Sequence, residues 1–88
     1  MSVIYSQLIY KKIQKHKLPY HVWQDMRDAF DALAATKNFR LFDIKKMVVK
    51  GSYVYYRLRI RNYRALFYFD QNTIIVQDIG PRGGVYKP

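Results

Sequence analysis

The sequence predicts an α+β domain in the order β-α-α-β-β-β: an antiparallel twisted sheet with two N-terminal helices packed on one face. Three observations predict it. Val22, Trp23, Met26, Phe30, Leu33 and Ala34 recur at the spacing of one helix face. The run from Tyr55 to Phe69, YYRLRIRNYRALFYF, starts with basic and apolar residues alternating at a period of two and breaks at Arg61-Asn62. Thr73 to Ile79 is rich in β-branched residues, with Asp70-Gln71-Asn72 before it and Gly80-Pro81 after it.

In chain order, Val3 to Tyr5 is a short strand. Ser6 is placed to cap a helix over Gln7 to His16, with Leu8, Ile9 and Ile13 buried and Lys11, Lys12 and Lys15 outward. Leu18-Pro19 interrupts, and Pro19 suits the first turn of a second helix that runs to about Lys37, with Asn38 as its stop. Asp25, Asp28 and Asp31 fall mostly in its first half, where the helix dipole favours anions. Phe39 to Ser52 reads either as a loop with one helical turn or as a short extended piece, closed by Gly51-Ser52. A hairpin over Tyr55 to Phe69 follows, then the strand Thr73 to Ile79, which Gly80-Pro81 stops. Gly83-Gly84 lets the tail bend, and Val85-Tyr86 is a candidate to rejoin the sheet. Trp23, Phe30, Tyr56, Leu58, Ile60, Ala65, Phe67 and Phe69 are the expected core.

Eighty-eight residues make a single domain, residues 1–88. A chain this short buries roughly 60–65% of its unfolded surface, so its stability is modest. Half of it is hydrophobic, which excludes a disordered basic tail. It has no cysteine, so disulfides and thiolate metal sites are excluded, and the scattered aspartates offer no metal-ligand spacing. No metal or other cofactor is expected. No apolar run approaches the ~18 residues of a membrane span, and the N-terminus lacks the charged region and cleavage site of a signal peptide. A cytoplasmic protein is expected. The net charge is +10, and all six acidic residues are aspartates. An excess of this size on a small folded domain points to a polyanion, most often nucleic acid.

The charge is concentrated on one predicted sheet face. Arg57, Arg59 and Arg61 share a face of their strand, with Tyr56, Leu58 and Ile60 on the other. A two-residue turn at Arg61-Asn62 sets Arg59 opposite Arg64 and Arg57 opposite Leu66. Like charges directly across a strand pair destabilise by up to ~1 kcal/mol. A surface built to hold an anion accepts that cost. Tyr55 and Tyr68 lie beside these arginines, and Lys45, Lys46 and Lys50 precede them as candidate contacts to a nucleic-acid backbone. Two bland readings stand alongside: Arg64 as the ion-pair partner of Asp78, and the arginines as ordinary solvent-facing residues.

The run GSYVYYRLRIRNYRALFYFD, followed by IIVQDIGPRGGVYK, resembles the RelE/ParE toxins of type II toxin–antitoxin systems. In that family a lysine-rich stretch and a glycine precede "yyRlRvgdYRviy", and "igHR..vY" ends the domain. Here Lys45, Lys46 and Lys50-Gly51 lead into Tyr56-Arg57-Leu58-Arg59-Ile60. Tyr63-Arg64 follows the turn, and Gly80-Pro81-Arg82 and Val85-Tyr86 close the chain. Arg61 stands at the family's usual glycine, with Asn62 as the residue expected to take the positive φ. The arginine and tyrosine of the C-terminal motif, Arg82 and Tyr86, side with RelE rather than ParE.

The resemblance implies a RelE-like fold and a ribosome-dependent, metal-independent endoribonuclease, an mRNA interferase that inhibits translation. It cuts messenger RNA in the ribosomal A site by 2′-hydroxyl attack on the scissile phosphate. The alternative is a ParE-like, non-enzymatic inhibitor of DNA gyrase. Carried over by position, Arg57, Arg59, Arg64, Arg82 and Tyr86 form the implied catalytic set. Lys45, Lys46, Lys50, Arg61, Tyr55 and Tyr68 are the expected RNA-binding residues. Guanidinium forks suit phosphate oxygens. The general base stays open, because arginine does not give up its proton and occupies both basic positions of the first hairpin strand. Tyr86 is one candidate. His16 and His21 lie in the helical half and read as surface residues. The implied partners are the ribosome, messenger RNA and a small, acidic cognate antitoxin. The toxin alone is expected to be monomeric, and heteromeric with its antitoxin, with no membrane partner.

Overall fold

The computed structural model describes residues 1–82. Its elements are β1 (Ser2–Tyr5), α1 (Gln7–Gln14), α2 (Tyr20–Thr36), a 3-10 turn (Phe39–Leu41), β2 (Asp43–Lys50), β3 (Tyr53–Ile60), β4 (Tyr63–Asp70) and β5 (Thr73–Pro81). The strands form one sheet in the order β1-β5-β4-β3-β2. The last three strands pair antiparallel through tight turns, as expected, and β2 joins them antiparallel to β3. β1 instead pairs parallel with β5, so the sheet is mixed. The two helices supply the long connection that frees β1 to lie parallel to a strand distant in sequence.

The strand β2 is an addition to the expected order. The segment read as a loop or a short extended piece is both a single 3-10 turn and a full edge strand of eight residues. Its register shifts between Lys46 and Val48, so Met47 breaks the alternation that marks a strand. Gly51 then takes φ +61 in the turn to β3.

Six local details differ from the expectation for physical reasons. Ser6 stands at the N-cap with extended φ and ψ, but its hydroxyl donates to the Gln77 carbonyl and ties α1 to β5 rather than capping it. Leu8 is 39% exposed, and Ile9 takes the buried position. Lys12 turns inward to a 2.7 Å ion pair with buried Asp78. Lys37, not Asn38, ends α2 in the left-handed conformation, while Asn38 accepts from the Arg40 amide and starts the 3-10 turn. At the β3–β4 turn Arg61 carries the positive φ, 52°, in place of Asn62. β5 also runs through Gly80-Pro81. Beyond Val76 it has no β1 partner, so a proline is tolerated on that free edge.

The helices cover one sheet face. Ile9 and Leu18, with Val22, Trp23, Met26, Phe30 and Leu33 of α2, pack on Leu58, Ala65, Phe67, Ile74, Val76 and Ile79. Phe30 and Phe67 meet edge-to-face at 5.2 Å. Tyr56, Ile60 and Phe69 pack against this core from its rim. No helix of the described residues is long and apolar enough to cross a membrane.

Candidate nucleic-acid interface

The register of the sheet sorts the face opposite the helices into cross-strand rows. One row runs Asp43, Arg59, Arg64, Gly80. The next runs Lys45, Arg57, Leu66, Asp78. A third runs Val48, Tyr55, Tyr68, Ile75, Ile4. Successive rows are two residues apart, about 7 Å along a strand. The alternation of β3 drives this: Leu58 goes to the core, so Arg57 and Arg59 go to the opposite face. The expected Arg59–Arg64 and Arg57–Leu66 pairs are both present.

Arg64 sits at the centre of the basic rows. Its Nε is shut off from solvent and has no hydrogen-bond partner. Desolvation first, and then the charges of Arg57, Arg82 and Arg59, push its proton affinity below the ordinary arginine value, while Asp43 opposes the shift. Even so, a guanidinium remains charged at neutral pH. Four cations therefore share one face, and one of them has an unsatisfied donor. An anion with several acceptor oxygens relieves both problems.

The aspartates are distributed so that this face stays positive. Asp43 accepts from Arg59 Nε at 2.7 Å, which leaves the two terminal nitrogens of that guanidinium outside the ion pair. Asp78 is paired with Lys12, not with Arg64. Asp70 accepts from the Tyr53 hydroxyl at 3.3 Å. Among the described residues no aspartate forms an ion pair with Arg57 or Arg64. Arg82 joins the group because its amide donates to the Asn62 carbonyl at 3.1 Å, beside the β3–β4 turn.

Not every residue expected in the site is there. Arg61 is at the hairpin tip and pairs with Asp25 of α2, away from the other arginines. Lys46 is opposite Tyr56, on the helix-covered face, whereas Lys45 and Lys50 stand opposite Arg57 and Tyr53 on the open one. The register shift at Met47 thus splits the lysine cluster, carrying Lys50 to the face that Lys46 does not share. Tyr86, with Gly83, Gly84 and Val85, lies outside the described residues. His16 and His21 are exposed in the helical half.

Tyr55 and Tyr68 are cross-strand neighbours with ring centroids 5.0 Å apart, and Tyr53 packs on Tyr68 at 4.7 Å. The Asp70 carboxylate raises the Tyr53 proton affinity above the usual phenol value. Burial, then Tyr55 and Asp70, does the same for Tyr68. Sequence reasoning missed Tyr53 and Asp43 as members of this face. Asp43 hides in the unrecognised β2, and Tyr53 is one alternation step before Tyr55. A separate cleft of about 700 Å³ lies on the helix side, between β1 and α2, lined by Tyr5, Tyr10, Trp23, Arg27 and Asp31 among others. It holds one cation and one anion, and it is remote from the arginine rows.

No family model matches the chain, and no curated protein matches it significantly. Solved structures do. The chain is similar to one in a crystal structure of the archaeal RelE–RelB complex from Pyrococcus horikoshii OT3. The two share 24% identity and a TM-score of 0.73, over 94% of this chain and 96% of that one. It is also similar to a chain of the RelB–RelE antitoxin–toxin complex from Methanococcus jannaschii. There the identity is 22% and the TM-score 0.69, over 91% of each chain. The fold is therefore that of the RelE–RelB structures, across nearly the whole chain.

Proposed function

We propose that this chain is the toxin of a type II toxin–antitoxin pair and a metal-independent endoribonuclease that cuts messenger RNA on the ribosome. The observation that carries the reading is Arg64: a half-buried guanidinium whose Nε has no partner among the described residues, set among Arg57, Arg59 and Arg82 on the sheet face opposite the helices. The RelE-type fold and the C-terminal Arg82 support it.

In this reading the scissile phosphate binds over Arg57, Arg59 and Arg64. The ribose 2′-oxygen gives its proton to a base and forms a bond to phosphorus. The bond from phosphorus to the 5′-oxygen breaks, and that oxygen takes up a proton. The guanidiniums stabilise the charge that builds on the equatorial oxygens, which is where electrostatic catalysis contributes most. Arg82 acts as a donor to the departing oxygen. Tyr86 remains a candidate base, and Lys45, opposite Arg57, adds a further cation beside the phosphate site. The ribosome aligns the RNA, which can supply ~7–11 kcal/mol of the barrier.

The partner implied for the toxin is a small acidic antitoxin. A net charge of +10 favours an anionic segment over the arginine face, and such a segment would compete with RNA for the same donors.

The test is incubation of the purified protein with messenger-programmed ribosomes, mapping cuts by primer extension, with naked RNA alongside. Cuts within the A-site codon that are absent on naked RNA and lost in Arg82→Ala support the reading. Intact message on active ribosomes overturns it, and a DNA supercoiling assay then examines a gyrase-directed action.

A further inference from the structure

The row beside the arginines has a different chemistry. Val48, Tyr55, Tyr68, Ile75 and Ile4 cross all five strands without a charge. Ile4 is 54% exposed and Val48 42%. Tyr53 adds a third ring to the pair at its centre. Its hydroxyl is anchored on Asp70, so the ring is held in place before anything binds. These rings contribute nothing to the helix-covered core, which lies on the other side of the sheet.

Two features fix what fits there. The row lies about 7 Å from the Arg57 row, close to one step of an extended single strand. At the far side of the rings Asp70 holds the Tyr53 hydroxyl and Lys50 stands opposite Tyr53, so the charges there oppose each other, and the stronger positive charge of the arginine rows takes the phosphate and leaves a base for the tyrosines. From this juxtaposition we infer that Tyr53, Tyr55 and Tyr68 form a stacking platform for an unpaired nucleobase next to the phosphate held by Arg57 and Arg64. The inference rests on the proposed RNA site and adds its substrate requirement: a single strand with a splayed base at a fixed offset from the gripped phosphate. Stacking of this kind is tolerant of base identity, because every base has a π-face. The platform therefore sets the position of the cut more than its sequence.

The experiment measures anisotropy of a short fluorescein-labelled 2′-O-methyl RNA, which resists 2′-hydroxyl attack, against an analogue of equal phosphate number with abasic positions. The wild-type chain is expected to bind the base-bearing strand roughly 5- to 150-fold more tightly per stacked base. Tyr55→Leu and Tyr68→Leu should remove that preference and leave the abasic affinity and the salt dependence unchanged. Tyr55→Phe should keep the preference, since the ring and not the hydroxyl carries it. Arg57→Gln should weaken both strands and lower the salt slope. Salt-dependent binding with equal affinity for the two strands overturns the platform while leaving the phosphate site standing. Tyrosine variants that weaken both strands alike also overturn it, in favour of a purely structural role. Absence of salt-dependent binding to either strand removes the RNA reading itself. The wild-type comparison decides the matter even if a leucine variant fails to fold.

Discussion

Replacing Arg64 with methionine separates function from stability in opposite directions. Methionine keeps a long, flexible stem in the same strand position and deletes the guanidinium. Two unfavourable features then disappear: the like-charge pair with Arg59 and the unsatisfied Nε. Relief of a cross-strand like-charge pair alone raises the melting temperature of a domain this size by roughly 1–8 °C, and loss of the orphan donor adds to that rise. Removing one pre-organised charge-stabilising donor lowers the cleavage rate by ~10²–10³. The assays are thermal unfolding by circular dichroism and primer extension on programmed ribosomes. A second check is salt: repulsion is screened over a Debye length of about 10 Å at 0.1 M. Added salt should thus raise the wild-type melting temperature more than that of the variant. A variant that melts lower than wild type refutes the argument, since Arg64 would then be a satisfied structural residue. A variant that melts higher but still cleaves normally would move the active site elsewhere.

Tyr5 offers a pH test. Burial, then Asp31, raises its proton affinity above the ordinary tyrosine value of 10.0, and its hydroxyl is buried without a hydrogen-bond partner among the described residues. A raised folded pKa means that its contribution is whole below pH 10.0 and drains as pH rises from there towards the folded value. Tyr5→Phe should gain on the order of 1 kcal/mol at neutral pH and flatten the alkaline loss, as read by urea unfolding at both pH values. Lys12→Met strips the ammonium from Asp78, which is 1% exposed but keeps the Ile79 amide as a donor, and should lower stability as read by the same urea unfolding. Asp78→Asn should cost less, because Lys12 keeps 19% exposure and its 3.1 Å bond to the Ile79 carbonyl; equal losses would contradict that asymmetry. Arg61→Gly removes a left-handed arginine and its Asp25 pair, at the turn and outside the arginine rows. It should lower cleavage far less than Arg57→Ala, and a comparable loss would restore Arg61 to the site.

What was legible follows from periodicity. The α2 stripe is read directly from helical spacing, and Trp23, Phe30 and Phe67 are buried where that spacing and strand alternation place them. The arginine face is legible because β3 alternates without interruption and the turn is short, so its register with β4 follows from counting. β2 is not legible for the converse reason. It is an edge strand, nearly all exposed, with the register shift at Met47 cancelling its alternation. The parallel pairing of β1 leaves no local trace, because its partner is some seventy residues away.

The amino-acid sequence alone determined the helix faces, the hairpin register and the excess of positive charge, since each depends on neighbours within one or two turns of chain. Tertiary structure alone decided which charges remain available. Helix α1 delivers Lys12 to Asp78, α2 delivers Asp25 to Arg61, and β2 delivers Asp43 to Arg59. Arg57 and Arg64 are left without an acidic partner among the described residues. An ion pair forms between groups brought together across the fold, and no local pattern encodes the choice. The rings divide likewise: the Tyr55–Tyr68 pair follows from the hairpin register, whereas the packing of Tyr53 on Tyr68 and its bond to Asp70 exist only in the folded sheet.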